Sequence, residues 1–189
     1  MRRWAHLALA PCAAAAMSLA DPGISLAACA DAAAAGVDWQ GCVKSRLRLA
    51  RADLSGGEFT RARFDGADLA GADFARAVLR QANIREARLV GARLDGADLS
   101  AARAGGVDLS LASLRGAKLE GISLPGASLA GADLSDADFR DAYLVGADFQ
   151  GARLAGARFE GANLTHARWS GGRICGAGSI GGCKAERAK

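Results

Sequence analysis

Large apolar side chains recur at every fifth residue from Leu49 to Ile174. Of the 26 positions in that register, 25 are large and apolar, Ala104 being the exception, and all six phenylalanines of the chain lie in it. Two residues before the large one, 21 of the 26 positions are alanine, with Leu47, Gly57, Val107, Ile122 and Gly172 as departures. None of the 33 charged residues within 47–176 falls in either register, so the pattern separates an inside from an outside.

A period of five excludes the ordinary elements. On an α-helix, five residues turn the side chain by about 140°, so the large residues would spiral and never form a face. On a simple strand, alternate large residues would point to opposite sides. A solenoid that turns a corner every five residues satisfies the pattern, with the large residue inward from the middle of each side and the alanine beside it. Glycine fills 16 of the 26 positions two residues after the large one, as expected of a corner that needs positive φ.

The strings ADLAGADFARAVL (67–79) and FEGANLTHARW (159–169) resemble the pentapeptide-repeat family, whose unit is A(D/N)LXX. The resemblance covers 47–176 without an insertion. It implies an all-β fold, a right-handed quadrilateral β-helix with four repeats per coil, hence about 6.5 coils stacked into a column about 31 Å long at the strand-to-strand spacing. The flanking strings VDWQGC (37–42) and WSGGRICGAGSIGGC (169–183) resemble the ends of exported bacterial members. On this reading 28–46 form an N-terminal cap, in which Trp39 extends the column by a rung, and 177–189 a C-terminal cap and a short charged, frayed tail.

The first 27 residues read as a signal peptide. Arg2 and Arg3 precede an Ala/Leu-rich stretch, Asp21-Pro22-Gly23 breaks it, and Ser25-Leu26-Ala27 offers small residues for cleavage after Ala27; Ser18-Leu19-Ala20 offers a second site. The apolar stretch falls short of the roughly 20 residues that span a bilayer, which argues against a membrane anchor. Leu26-Ala27-Ala28-Cys29 also resembles a lipobox, so lipidation at Cys29 is the alternative, although a lipobox normally abuts the apolar stretch. These features place the mature protein in a bacterial periplasm or outside the cell.

Removal of 1–27 takes Cys12 with it and leaves Cys29, Cys42, Cys175 and Cys183, which allow three connectivities. In the column implied by the resemblance, Cys42 and Cys175 lie at opposite ends, beyond the ~7 Å that a disulfide spans. Cys29 with Cys42 and Cys175 with Cys183 remain, each fastening a cap, and an oxidising compartment follows.

Charge narrows the function. The mature chain carries 22 basic and 19 acidic residues, which is no nucleic-acid-binding signature. The resemblance also implies a possible mimicry of duplex DNA toward DNA gyrase, a type II topoisomerase, by acidic members of the family. That activity needs a strongly negative surface, whereas 47–176 holds 17 basic and 16 acidic residues. Stacking by 20 would set Arg48, Asp68, Arg88 and Asp108 above one another with alternating sign, so their fields cancel. His166, the one mature histidine, stands alone at a corner; no catalytic set forms around it, the cysteines lack zinc spacing, and neither a metal site nor a cofactor site is expected. Two uneven patches remain as candidate docking sites: Asp133, Asp136, Asp138, Asp141 and Asp148, and Arg76, Arg80, Arg85, Arg88 and Arg93. The reading is a non-enzymatic binding or scaffold module for an unidentified protein or cell-envelope component, monomeric or stacked end to end.

Ala104 is the one flaw in the inward register. Stacking by 20 sets it between Ile84 and Leu124, with small Ala102 beside it. The expectation is a partial void, relieved from outside by Leu111, so that Ala104→Leu raises the melting temperature; the alternative is a coil pinched inward at Gly105 and Gly106.

Overall fold

Backbone ladders tie each residue to the one twenty positions on. In the computed structural model, which describes residues 28–184, parallel bridges begin at Asp38 with Glu58, recur every five residues, and end at Asp148 with Arg168. Four bridges per twenty residues give the column four sides. The segment 1–27, with the leader, its cleavage sites and Cys12, lies outside the described residues, as do 185–189 of the tail. Within the described residues, a short 3-10 turn at Ala28–Ala30 precedes the column, and no helix is long and apolar enough to cross a membrane.

One repeat shows how the sequence makes a side and a corner. The N–H of Phe59 donates to the carbonyl of Val78 (2.7 Å) and the N–H of Val78 to that of Gly57 (2.9 Å), which joins adjacent coils. The N–H of Ala62 then donates back to the carbonyl of Phe59 (2.9 Å), closing a turn in which only Arg61 has positive φ, the signature of a type II turn. The same turn recurs at each corner. Eleven non-glycine residues hold this left-handed conformation, among them Arg51, Gln81, Leu111 and His166, so the corner does not require glycine even though it strains other residues.

Glycine has a second reason to be there. A non-glycine corner side chain leans toward the corner of the next coil: a Cβ on Gly71 would lie 3.5 Å from Cγ of Arg51, and one on Gly131 only 2.8 Å from Cδ2 of Leu111. On Gly156 and Gly161 it would collide with the carboxylates of Asp136 and Asp141. A bulky corner thus favours a bare corner twenty residues later. Arg61, Gln81 and Ala101 break the rule, and there the Nε of Arg61 donates to Oε1 of Gln81 (3.1 Å).

The core is the two registers read from the sequence. Every position from Leu54 to Phe149 in the large register is buried, at 1% exposure or less. Gly57 lacks a side chain because the ring of Phe59 folds back into that space. The register departs from expectation at its last position. After Trp169 the chain bends through Gly171 and Gly172 and reverses, so Ile174 bridges Arg168 in the antiparallel sense and stands half exposed, while Cys175 takes the buried place. Ile180 likewise pairs antiparallel with Asn163.

Disulfides join Cys29 to Cys42 and Cys175 to Cys183, with Cα–Cα distances of 5.5 and 4.9 Å. The N-terminal cap adds Trp39, buried in the large register. Lys44 lies with Nζ 3.7 Å from the Trp39 ring centroid and donates to the carbonyl of Cys29 (2.8 Å). At the other end Lys184, read from sequence as part of a frayed tail, is tied down: its carbonyl accepts from the N–H of Gly176 (2.8 Å) and its own N–H donates to Oγ of Ser179 (3.1 Å).

The Ala104 rung is not pinched. Its N–H reaches the carbonyl of Ser123 at 2.7 Å and Gly106 reaches Pro125 at 2.9 Å, the same spacing as elsewhere. Leu111 does not relieve it either, being 69% exposed. The small register is enlarged beside it: Val107 follows Ala104 around the corner, Ile122 stacks on Ala102, and both are buried. Relative to alanine they add two and three carbons, against the three lost at Ala104. The expected sign of the substitution therefore reverses. Ala104→Leu alone should overpack the rung and cost about 1–3 kcal/mol, and adding Ile122→Ala should recover most of the loss in thermal unfolding.

Candidate interaction surface

Outward side chains stand in columns twenty residues apart, and the charges on them pair off. Ion pairs between adjacent coils join Arg88 to Asp68 (3.2 Å), Arg93 to Asp73 (3.3 Å), Arg140 to Glu120 (3.2 Å) and Arg168 to Asp148 (3.8 Å). Arg80 reaches Asp98 at 2.7 Å, eighteen residues on. These contacts are largely exposed and individually weak. Their collective effect is to cancel the field that an unpaired stripe would project.

The two patches read from the sequence are spread out by the fold. Arg76, Arg80, Arg85, Arg88 and Arg93 run around nearly a full coil, so they face different sides. Arg80, Arg88 and Arg93 are bound to carboxylates. Asp133, Asp136, Asp138 and Asp141 follow one another around two successive corners, and Asp148 stands on another side. Asp133 lies within reach of Arg115 and Arg153, and Asp138 within reach of Arg140 and Arg158. Asp136 and Asp141 occupy left-handed corners over Gly156 and Gly161. His166 is an exposed corner residue whose N–H donates to the carbonyl of Cys175 (2.9 Å).

The regular Asp and Asn positions of the outer face have a further task in the structure. Asp53, Asp73, Asp98, Asp133 and Asp148 accept hydrogen bonds from the N–H two residues on, at 2.8–3.1 Å, as Asn163 does from Thr165. The ladder leaves that N–H without a backbone acceptor at the corner, and a short acceptor two residues earlier satisfies it. The signal was present in the A(D/N)L unit.

These hydrogen bonds set the acid limit of the fold. The Ser135 hydroxyl and N–H hold the Asp133 carboxyl below its ordinary value, and the Arg140 guanidinium does the same for Asp138. At Asp98 burial pushes upward, but Ser100 and Arg80 outweigh it and the net shift is again down. A carboxyl with a depressed folded pKa stabilises the fold above its unfolded pKa and loses that contribution as pH falls through the folded value. Melting temperature should therefore be flat from neutral pH to about 5 and fall below about 4, as a thermal-melt series in pH will show.

A surface groove of about 570 Å³ opens where the corner rule breaks, lined by Arg61, Arg63, Gln81, Asn83, Ala101 and Arg103. Its lining is polar and basic and offers no acid–base pair. Among the described residues, no group of three or more His, Cys, Asp or Glu side chains is placed to hold a metal ion.

Parallel ladders of period twenty, four corners per coil and a disulfide at each end define a capped four-sided β-solenoid. The family model for pentapeptide repeats matches eight copies over residues 62–100, 92–131, 108–144 and 142–177. The chain belongs to the pentapeptide repeat family, whose members adopt a right-handed quadrilateral β-helix and are generally structural or binding proteins. No curated protein matches the chain. Among solved structures, Rfr23 from the cyanobacterium Cyanothece 51142 is 24% identical over 70% of this chain and 90% of its own, with a TM-score of 0.52, a likeness of fold. HetL from the cyanobacterium Nostoc sp. strain PCC 7120, involved in heterocyst differentiation regulation, is 29% identical over 74% of this chain and 85% of its own, with a TM-score of 0.30. QnrB1, a plasmid-mediated fluoroquinolone resistance protein, is 17% identical over 69% of this chain and 73% of its own, with a TM-score of 0.41.

Proposed function

We propose that the protein is an exported, non-enzymatic binding or scaffold module, a right-handed column of about six and a half coils whose surface engages a protein or another component of the bacterial cell envelope. The observation that carries the reading is the disulfide at each end of the column. Such bonds persist where the compartment is oxidising, in the periplasm or outside the cell. The arginine-led leader and its cleavage site after Ala27 agree with that address. The paired, balanced charge of the sides disfavours a DNA mimic acting on a cytoplasmic topoisomerase, because duplex mimicry requires an unpaired negative stripe.

Intact-mass analysis after expression of the full chain in a Gram-negative host tests the reading. The expected product is an envelope-fraction chain beginning at Ala28, with Cys29, Cys42, Cys175 and Cys183 oxidised. A lipid-modified Cys29 would place the protein on a membrane surface instead. An unprocessed, reduced chain in the cytosol would overturn export, and dose-dependent inhibition or protection in a gyrase supercoiling assay would overturn the ranking of the two functions.

A further inference from the structure

One corner of the column carries no charge along most of its length. Gly71, Gly91, Leu111, Gly131 and Gly151 stack there at intervals of twenty, each with positive φ, and the residues just before them are Ala, Val, Ser or Gln. At ~4.8 Å per rung the ridge is about 19 Å long. Leu111 is its one knob. The residue holds φ 61°, which strains any side chain but glycine, and leaves 69% of its surface in water. Folding gains nothing from leucine here, since glycine serves at the other four rungs.

We propose that two copies of this chain pair side by side and antiparallel along this ridge, with the Leu111 side chains of the two copies meeting above their Gly131 rungs. The ridge is self-complementary about its midpoint. A two-fold axis between the Leu111 and Gly131 rungs sets Leu111 opposite Gly131 and Gly91 opposite Gly151. Both leucines lean toward that axis, because each lies over Gly131 of its own chain.

The charges beside the ridge obey the same symmetry. The adjoining side carries Asp68, Arg88, Asp108, Ser128, Asp148 and Arg168 as a bridged column. The two-fold brings Asp68 to Arg168, Arg88 to Asp148, and Asp108 to Ser128. Arg88 already pairs with Asp68 and Arg168 with Asp148 within each chain, so each meeting forms a square of four charges alternating in sign. A parallel pair about the same ridge would set Asp68 beside Asp73 and Arg88 beside Arg93, like against like, with Asp148 beside Arg153 as its one opposite meeting, so the balance of charge selects the antiparallel sense. On the far flank the antiparallel pair brings Arg93 to Arg153, but Asp73 and Asp95 hold the first and Asp133 lies by the second. A ridge this narrow makes a weak, reversible dimer.

Sedimentation equilibrium on the oxidised chain lacking 1–27 tests the proposal. The average mass should climb from the monomer toward the dimer with concentration, and added salt should oppose the climb. Leu111→Gly should raise the dissociation constant at least about tenfold without lowering the melting temperature, because glycine takes the left-handed corner freely. Short bismaleimide cross-linking gives the orientation: a mixture of Val90→Cys and Gln150→Cys chains should cross-link, and Val90→Cys alone should not, its two copies lying three rungs apart. A chain that stays monomeric at the highest attainable concentration, or a Leu111→Gly variant that dimerises as before, would sink the ridge. Cross-linking of Val90→Cys to itself would sink the antiparallel arrangement.

Discussion

Trp39→Ala should destabilise the protein by about 3–5 kcal/mol, the cost of removing a large aromatic side chain from a packed interior. Trp39 is 1% exposed and packs its ring 5.9 Å from Phe59 and 6.3 Å from Phe64, so it begins the aromatic stack of the first two coils. Its loss would also uncover Lys44, whose ammonium group rests on the indole. The indole N–H is buried with no acceptor among the described residues, a defect that Trp39→Phe removes. Trp39→Phe should therefore lose much less than Trp39→Ala in denaturant unfolding. Because each coil contacts only its neighbours, Trp39→Ala should speed hydrogen exchange in the first coils and leave the Phe139, Phe149 and Trp169 stack nearly unchanged. Uniform acceleration along the column would contradict that picture.

Opening the Cys29–Cys42 disulfide is the second change with a large expected effect. By the loop-closure argument a bond across 13 residues contributes about 3 kcal/mol, and the Cys175–Cys183 bond, across 8, about 2.5 kcal/mol. The N-terminal bond has a further role, since it holds the Cys29 carbonyl that accepts from Lys44. A Cys29→Ser, Cys42→Ser variant should melt lower than a Cys175→Ser, Cys183→Ser variant, and reductant should erase the difference between each variant and the wild type. Equal losses from the two ends would show that the Lys44 contact adds nothing to stability.

The legible part of this fold was whatever repeats. Period five and the inward registers followed from spacing, and the stacking of Arg48, Asp68, Arg88 and Asp108 followed once the family resemblance supplied four repeats per coil. The cap disulfides followed because the column's length separates its ends. The illegible part lies where one side chain answers another in a different coil. Gly57 yields to the ring of Phe59, and the enlarged small-register residues Val107 and Ile122 are buried beside the Ala104 rung. Ile174 continues the register perfectly in sequence yet points outward, because the two glycines before it let the chain reverse. Nor did one-dimensional clusters of charge survive as surface patches. Five arginines within eighteen residues look crowded on a line, whereas a coil of twenty sends them to different sides.

The twenty-residue stacking also sets a grammar for insertion and deletion. Five residues can be gained or lost without disturbing either inward register, so the interior tolerates the change. Every outward residue beyond that point would then rotate by a quarter turn relative to the coils before it. Arg88 would no longer stand over Asp68, and each ion pair crossing the junction would meet a stranger. Only a gain or loss of twenty leaves inside and outside both in phase. A lineage of such columns can therefore change length in whole coils while preserving a face, or in single repeats while preserving only the core.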